Sequence, residues 1–151
     1  MLLLLFQAGD QRFGMDVAPV VEVVPAPSLR VLPHAPEWLA GFFAYRGAAT
    51  PVIDLSSLLV GRPCRPLLST RVIVVKYAVK DCAPRLLGIM AEQVVETVCC
   101  APGQLQPPVA RLKDAPYLGD LLLDDAGFVQ TITVDRLLPE SAHELLFSRE
   151  A

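Results

Sequence analysis

Apolar residues in this chain come in short runs cut by Gly, Pro and Asp. Residues 2–6, 20–24, 51–55, 71–79, 86–98 and 128–134 are each rich in Val, Leu or Ile. Segments of this kind suit strands, and the residues that bound them favour turns. Fourteen prolines are scattered between the runs and leave little room for long helices, because proline lacks the N–H that a helix interior needs. One helix is predicted near the end, over 139–150, with Pro139 in its first turn. Shorter helical turns are expected at 36–39 and at 56–59, the second capped by Asp54 or Ser56.

The pattern then repeats. Gly14-Met15 leads into Val20-Val21-Glu22-Val23-Val24, and 74 residues later Gly88-Ile89 leads into Val94-Val95-Glu96-Thr97-Val98. Each copy follows a strand and a turn (Gly9-Asp10 and Lys80-Asp81) and precedes a proline-rich passage. Each closes on a β-rich run, an Asp and a Leu-Leu pair: Asp54 with Leu58-Leu59, then Asp135 with Leu137-Leu138. The reading is all-β: two similar five-stranded barrels of about 70 residues, a size marginal for a lone core. The two halves should therefore share a hydrophobic core within one domain over 1–151, with subdomains at 1–66 and 67–138.

Composition sharpens this picture. Of 151 residues, 53% are hydrophobic and only 19% charged, more apolar surface than two solvated barrels need. The excess is expected to cover the interface between the barrels and to leave apolar docking strands exposed, chiefly around 38–45. The longest purely apolar run, 1–6, falls far short of the ~20 residues of a bilayer crossing. It also lacks a basic flank, so it reads as a strand rather than a signal peptide. A net charge of −3, with three lysines and ten arginines dispersed, argues against the alternative of a small-barrel nucleic-acid-binding module.

Candidate chemistry is sparse. Cys64, Cys82, Cys99 and Cys100 form no C-x-x-C pair, and His34 and His143 lie far apart, so no metal site is expected. No cofactor-binding loop is present. Without an export signal the cysteines read as reduced and the protein as cytoplasmic. Cys99 and Cys100 are vicinal and read as structural, with no adjacent His to activate a thiolate. Asp124-Asp125 ahead of Gly127 reads as a hairpin turn. Glu22 and Glu96 read as a solvated strand face, and His143 as a solvated helix residue. The segment that stands out is 38–55, where Arg46 precedes Gly47 between two apolar strands. Arg46 either solubilises a hairpin tip, pairs with Asp54, or is displayed on an aromatic-rich surface as an interface anchor.

This segment carries a family resemblance. Gly41-x-x-x-x-Arg46-Gly47-x-x-x-Pro51-Val52-Ile53-Asp54-Leu55 resembles the G-x-x-N-L-R-G-x-x-x-P-V-x-D-L signature of CheW-like domains, coupling modules of bacterial chemosensory arrays. Phe13-Gly14-Met15-Asp16-Val17, then Val20 and Glu22, resemble an upstream stretch of that family; Gly88-Ile89 through Val94, and Val134-Asp135-Arg136-Leu137-Leu138, resemble two later ones. The resemblance spans nearly the whole chain in order. It implies two SH3-like five-stranded barrels around a shared core and a non-catalytic adaptor without cofactor. It implies as partners the cytoplasmic tip of a chemoreceptor, the regulatory domain of a CheA-type histidine kinase and other CheW-like proteins in array rings. Val20, Glu22, Gly41 and Arg46 match family positions implicated in coupling, and Tyr45 beside Arg46 joins them as a candidate contact. Ala44-Tyr45 replaces the signature Asn-Leu, and Glu92 stands where the family has Asp.

Overall fold

A strand buried on one face alternates apolar and polar side chains, whereas one buried on both reads as an unbroken apolar run. The computed structural model, which describes residues 1–78 and 83–147, shows the second case twice. Its strands are β1 (Leu2–Ala8), β2 (Gln11–Asp16), β3 (Val20–Pro25), β4 (Leu39–Tyr45), β5 (Ala48–Asp54), β6 (Arg71–Tyr77), β7 (Arg85–Cys99), β8 (Leu105–Gln106), β9 (Leu118–Asp124) and β10 (Gly127–Ile132). Helix α1 is Leu55–Val60 and helix α2 is Glu140–Phe147. In β1, Leu4, Phe6 and Ala8 enter a central cluster, while Leu3 and Leu5 enter a smaller one with Cys100, Leu122 and Val129. In β6, Ile73, Val75 and Tyr77 enter the central cluster, while Val72 and Val74 turn to another small cluster with Tyr45 and Val52. The molecule is thus layered: a small core, a sheet, the shared core, a second sheet, a second small core.

The sheets do not follow the expected division at 66/67. One runs β3-β6-β7-β5-β4, through antiparallel β3/β6, β6/β7 and β4/β5 pairs and a parallel β5/β7 pair. The other runs β7-β1-β2-β10-β9-β8, with β10 parallel to β2. Each sheet therefore combines the first two strands of one repeat with the later strands of the other, the end of β7 counting among the later ones. The correction has a physical cause. Val20–Pro25 pairs with β6, and its counterpart at the end of β7 pairs with β1, so each copy donates its opening hairpin to the other. These are the two expected barrel-like subdomains, although backbone ladders among the described residues close neither into a complete ring.

Strand β7 belongs to both sheets and bends at the boundary. Residues up to Ala91 pair with β6, and from Glu92 onward they pair with β1. At the bend Gln93 has φ +54°, a left-handed conformation that costs a side-chain-bearing residue energy and needs support. The support comes from the connector after α1. The backbone N–H of Arg65 donates to Glu92 Oε2 at 2.8 Å, and its guanidinium donates twice to Oε1, at 2.8 and 2.9 Å. The N–H of Val94 donates to Ser69 O, and Arg71 donates to Val94 O. Glu92 is buried, with a side chain 4% exposed. Burial opposes its charge, but the Arg65 hydrogen bonds outweigh that and hold its carboxyl below the ordinary range.

Several local expectations hold. Asp54 caps α1, accepting from Ser57 N–H at 3.1 Å, and Gly61 ends the helix with φ +75°. The Asp124–Gly127 hairpin turn forms, and Asp124 also takes a two-point contact from Arg12 at 2.7 and 2.8 Å, tying β2 to this hairpin. Residues 36–39 form a turn rather than a helix, with Leu39 N–H donating to Pro36 O and Leu39 already in β4. The α2 helix begins after Pro139, whose carbonyl accepts from Ala142 and His143 N–H. His143 is not a free solvated residue. Its Nε2 lies 2.9 Å from the hydroxyl of buried Tyr77, and its ring packs edge-on against that phenol. Glu96 is exposed as expected. The turn at Lys80-Asp81, Cys82 and the end of the predicted helix lie outside the described residues. Among the described residues no helix is long and apolar enough to cross a membrane.

Two outcomes follow from this exchange of hairpins. Cutting the chain after residue 66 removes β6 and the start of β7 from one sheet, and β1 with β2 from the other. Each loss strips several fully buried side chains, at about 2 kcal/mol apiece, against a whole-domain margin of ~5–15 kcal/mol. Each half expressed alone should be insoluble, and coexpressed halves should recover a soluble complex by size-exclusion chromatography; two independently folded halves would contradict the topology. The second concerns acid. The Arg12 hydrogen bonds pull the Asp124 carboxyl from its ordinary 3.8 down to about 2. A carboxyl depressed in the folded state contributes stability above its unfolded pKa and loses it as pH falls through the folded one. Chemical denaturation between pH 4 and 2 should show this loss, and Asp124→Asn should be less stable at pH 7 yet flatter across that window.

Candidate interaction site

The β4–β5 hairpin is built for a tight turn. Tyr45 pairs with Ala48, leaving Arg46 and Gly47 as a two-residue loop with φ +50° and +81°. Positive φ at both positions suits the right-handed twist of the flanking strands. Gly47 tolerates this freely, and Arg46 adopts it at a cost that the hairpin ladder supports. The arginine is consequently projected from the tip, its side chain 67% exposed.

Tyr45 beside it is buried. It is 6% exposed, packed in the small cluster with Val52, Val72 and Val74, with Phe43 tilted against it at 6.0 Å. Its hydroxyl donates to Glu22 Oε1 at 2.5 Å. Glu22 belongs to β3, at the far end of the sheet order from β4, so this side-chain bond links the two unpaired edges that the backbone leaves apart. Arg46 Nη2 reaches the same oxygen at 3.5 Å, and the guanidinium carbon sits 5.0 Å above the Tyr45 ring centroid. The hydrogen bond to Glu22, with burial adding to it, raises the Tyr45 phenol above its usual range, so it stays a donor. A long, exposed ion pair of this kind is worth at most about 1 kcal/mol, which leaves Arg46 available to another acceptor.

The structure thus brings together three of the five expected residues: Glu22, Tyr45 and Arg46. Glu22 is engaged by two side chains instead of lying free on a solvated face. Val20 shares β3 with Glu22 but is half-buried against the central core. Gly41 is not displayed. Its φ is +146°, and a Cβ there would lie 2.5 Å from the carbonyl oxygen of Arg30. Arg30 and Phe42 exchange backbone hydrogen bonds at 2.9 and 3.0 Å, so the proline-rich segment runs directly over this glycine. Arg46 does not pair with Asp54, which is buried and accepts from Ser57 and Cys64 N–H groups. The aromatic stretch 38–45 is likewise less exposed than expected: Leu39 and Tyr45 are buried, and Trp38, Phe42 and Phe43 partly so.

The other reactive groups are dispersed. Cys99, the last residue of β7, is exposed, and Cys100 just after it is buried. Burial, and then the negative charge of Asp54, push the half-buried Cys64 thiol far up, so it is a poor nucleophile. Among the described residues no three His, Cys, Asp or Glu side chains could hold a metal ion. What the hairpin tip and the neighbouring β3 offer is a guanidinium beside a carboxylate, an arrangement suited to binding.

Comparison with known proteins agrees with the fold. The chain belongs to the CheW-like domain family, which matches residues 2–142. It is 24% identical over 144 residues to the chemotaxis protein CheW of Rhizobium meliloti (strain 1021), covering 94% of this chain and 90% of that protein. It is 30% identical over 115 residues to protein FrzA of Myxococcus xanthus, covering 76% of this chain and 64% of that protein. Among solved structures, the scaffolding protein TtCheW from Thermoanaerobacter tengcongensis superposes with a TM-score of 0.78 at 23% identity, over 91% of this chain and 87% of that one.

If Gly41 serves the backbone contact and not a partner, Gly41→Ala should act on stability. The added Cβ meets Arg30 O in a conformation L-residues avoid, and a loss of about 2 kcal/mol or more is expected. Urea denaturation of the isolated variant checks this; unchanged stability would return Gly41 to the set of candidate contacts.

Proposed function

We propose that this chain is a non-catalytic adaptor that couples the cytoplasmic tip of a chemoreceptor to the regulatory domain of a CheA-type histidine kinase, on the cytoplasmic side of the membrane. Family membership supports an adaptor role in chemotaxis or a related chemosensory pathway. The observation that carries the finer reading is the Glu22–Tyr45–Arg46 cluster. It places a charged anchor at the tip of a rigid hairpin, with a fixed counter-charge beside it and Val20 on the adjoining strand. Arginine set on a partly apolar surface is a common interface hot spot. In this reading Arg46 contacts the receptor hairpin, and Val20 and Glu22 line the adjoining surface. Other faces meet the kinase and other CheW-like proteins in array rings. Receptor state would reach the kinase as a change in relative docking, which requires each partner to bind two arrangements with different free energies.

Charge reversal separates binding from folding. Arg46 lies at an exposed tip, and among the described residues its side chain makes one long contact to Glu22 and a stack on the Tyr45 ring, so Arg46→Glu should change thermal stability little. Receptor recovery in a pull-down should fall at least about tenfold, since a like charge now faces both Glu22 and the partner. Unchanged recovery of both receptor and kinase would remove Arg46 from the interface.

A further inference from the structure

Arg46 and Glu22 are neighbours that fail to close on each other. An arginine and a carboxylate left free to meet favour a short, two-point contact. Here a single guanidinium nitrogen reaches Glu22, at 3.5 Å. The oxygen it reaches is already occupied, because the Tyr45 hydroxyl donates to Oε1 at 2.5 Å. A hydrogen bond to an ionised acceptor at that length is among the stronger ones in proteins. The same tyrosine holds the guanidinium above its ring at 5.0 Å. Among the described residues, the remaining N–H groups of Arg46 have no protein acceptor. Tyr45 is itself almost inaccessible, so a partner touches Arg46 and Glu22 and not the phenol.

We infer that Tyr45 is a positioning residue that holds Glu22 off Arg46, and that the guanidinium donors so kept open are taken by a carboxylate on the partner. This rests on the hairpin being the docking surface. It gives Tyr45 a role other than the direct contact expected from sequence. With a side chain lacking the hydroxyl, Glu22 would be released to form the two-point ion pair, and Arg46 would be neutralised before any partner arrived. The tyrosine therefore sets which partners the hairpin accepts: those presenting an acidic side chain to its tip. A partner that offered only apolar surface would bind no better with the phenol in place than without it.

The test uses the full chain as wild type, as Tyr45→Phe, as Glu22→Gln, and as the two combined. Phenylalanine keeps the ring, its packing and the stacking under Arg46, and removes only the hydroxyl. NMR of the Arg46 Nε–H reports the pairing without any partner. In Tyr45→Phe this proton should exchange with water about tenfold more slowly and its signal should shift, as the guanidinium closes on Glu22. Glu22→Gln should restore the wild-type signal. An Arg46 signal unmoved by Tyr45→Phe overturns the inference. Binding to a recombinant chemoreceptor tip hairpin from the same genome, measured by calorimetry, tests the consequence. Tyr45→Phe should weaken it about tenfold in the presence of Glu22, but should change the affinity of Glu22→Gln little, because the amide cannot neutralise Arg46. An equal loss from Tyr45→Phe with Glu22 and with Gln at that position indicates a purely structural tyrosine and also overturns the inference. If the wild-type protein ignores the hairpin altogether, the docking assignment fails, while the partner-free NMR comparison still decides what Tyr45 does.

Discussion

The carboxylate of Glu92 sits where the two sheets become one strand. Every hydrogen bond around it solves a problem created by the exchange of hairpins between the repeats. Strand β7 must serve β6 on one side and β1 on the other, and it changes allegiance within one or two residues. The price is the left-handed turn at Gln93 and a register shift against β1. Such a bend persists only when its surroundings over-determine it. Glu92 does this by accepting from both the backbone and the guanidinium of Arg65, which fixes the connector between α1 and β6. That connector in turn bonds Val94 and is held at its other end by Asp54 through Cys64 N–H. A buried carboxylate is destabilising unless fully satisfied. Here it is satisfied, and its bonds fall at the one point where either sheet would otherwise lose its continuity.

The same exchange explains the composition. A lone barrel of this size needs strands with one apolar face. Here β1 and β6 each lie between a small core and the shared core, so both of their faces must be apolar. The Leu3–Phe6 run and the Val72–Val75 run are the direct result. Much of the hydrophobic excess is therefore internal, and less of it is spent on exposed docking strands than the aromatic stretch 38–45 suggests. The surface of the candidate site is set by a few polar groups instead. Its specificity then comes from where an arginine and a carboxylate stand, a property that depends on side-chain geometry more than on area.

How much of this was legible from the sequence depended on how local each cause was. The repeat was visible because Val20–Val24 and Val94–Val98 resemble one another directly, and the α1 cap and the Asp124 turn rest on residues within a few positions. The swap of hairpins was not visible. Which strand pairs with β3 depends on contacts about 50 residues distant in the chain, and both pairings satisfy the same alternation of side chains. The division at 66/67 was the simplest cut through a tandem repeat, and it passes through neither sheet boundary. In the site, Arg46 announced itself by its lone charge before a glycine. The role of Glu22 did not, since period-2 alternation alone puts it on a solvated face, and its partner Tyr45 comes from the opposite edge of the sheet. Gly41 was visible as important, but a glycine demanded by a neighbouring carbonyl and one demanded by a partner look alike until the neighbour is in view.

These two polar devices have a common logic. Glu92 joins the two sheets at the strand they share, and Glu22 joins the two edges of one sheet where no strand is shared. In both cases a carboxylate accepts from a residue distant in sequence and substitutes for a backbone ladder that the topology cannot supply. The difference lies in exposure. Glu92 is sealed, so its bonds answer only to folding, whereas Glu22 stands at the surface beside an arginine a partner can reach. A load applied to Arg46 is therefore carried through Tyr45 and Glu22 into β3, and from β3 into β6. The opposite face of β6 is the shared core. A docked partner pulls on the sheet that the other half of the chain completes, so the hairpin tip is mechanically continuous with both subdomains. For the adaptor proposed above, which would hold two partners in a defined relation, such continuity serves better than flexibility, because relative position is conveyed only through a body that does not yield.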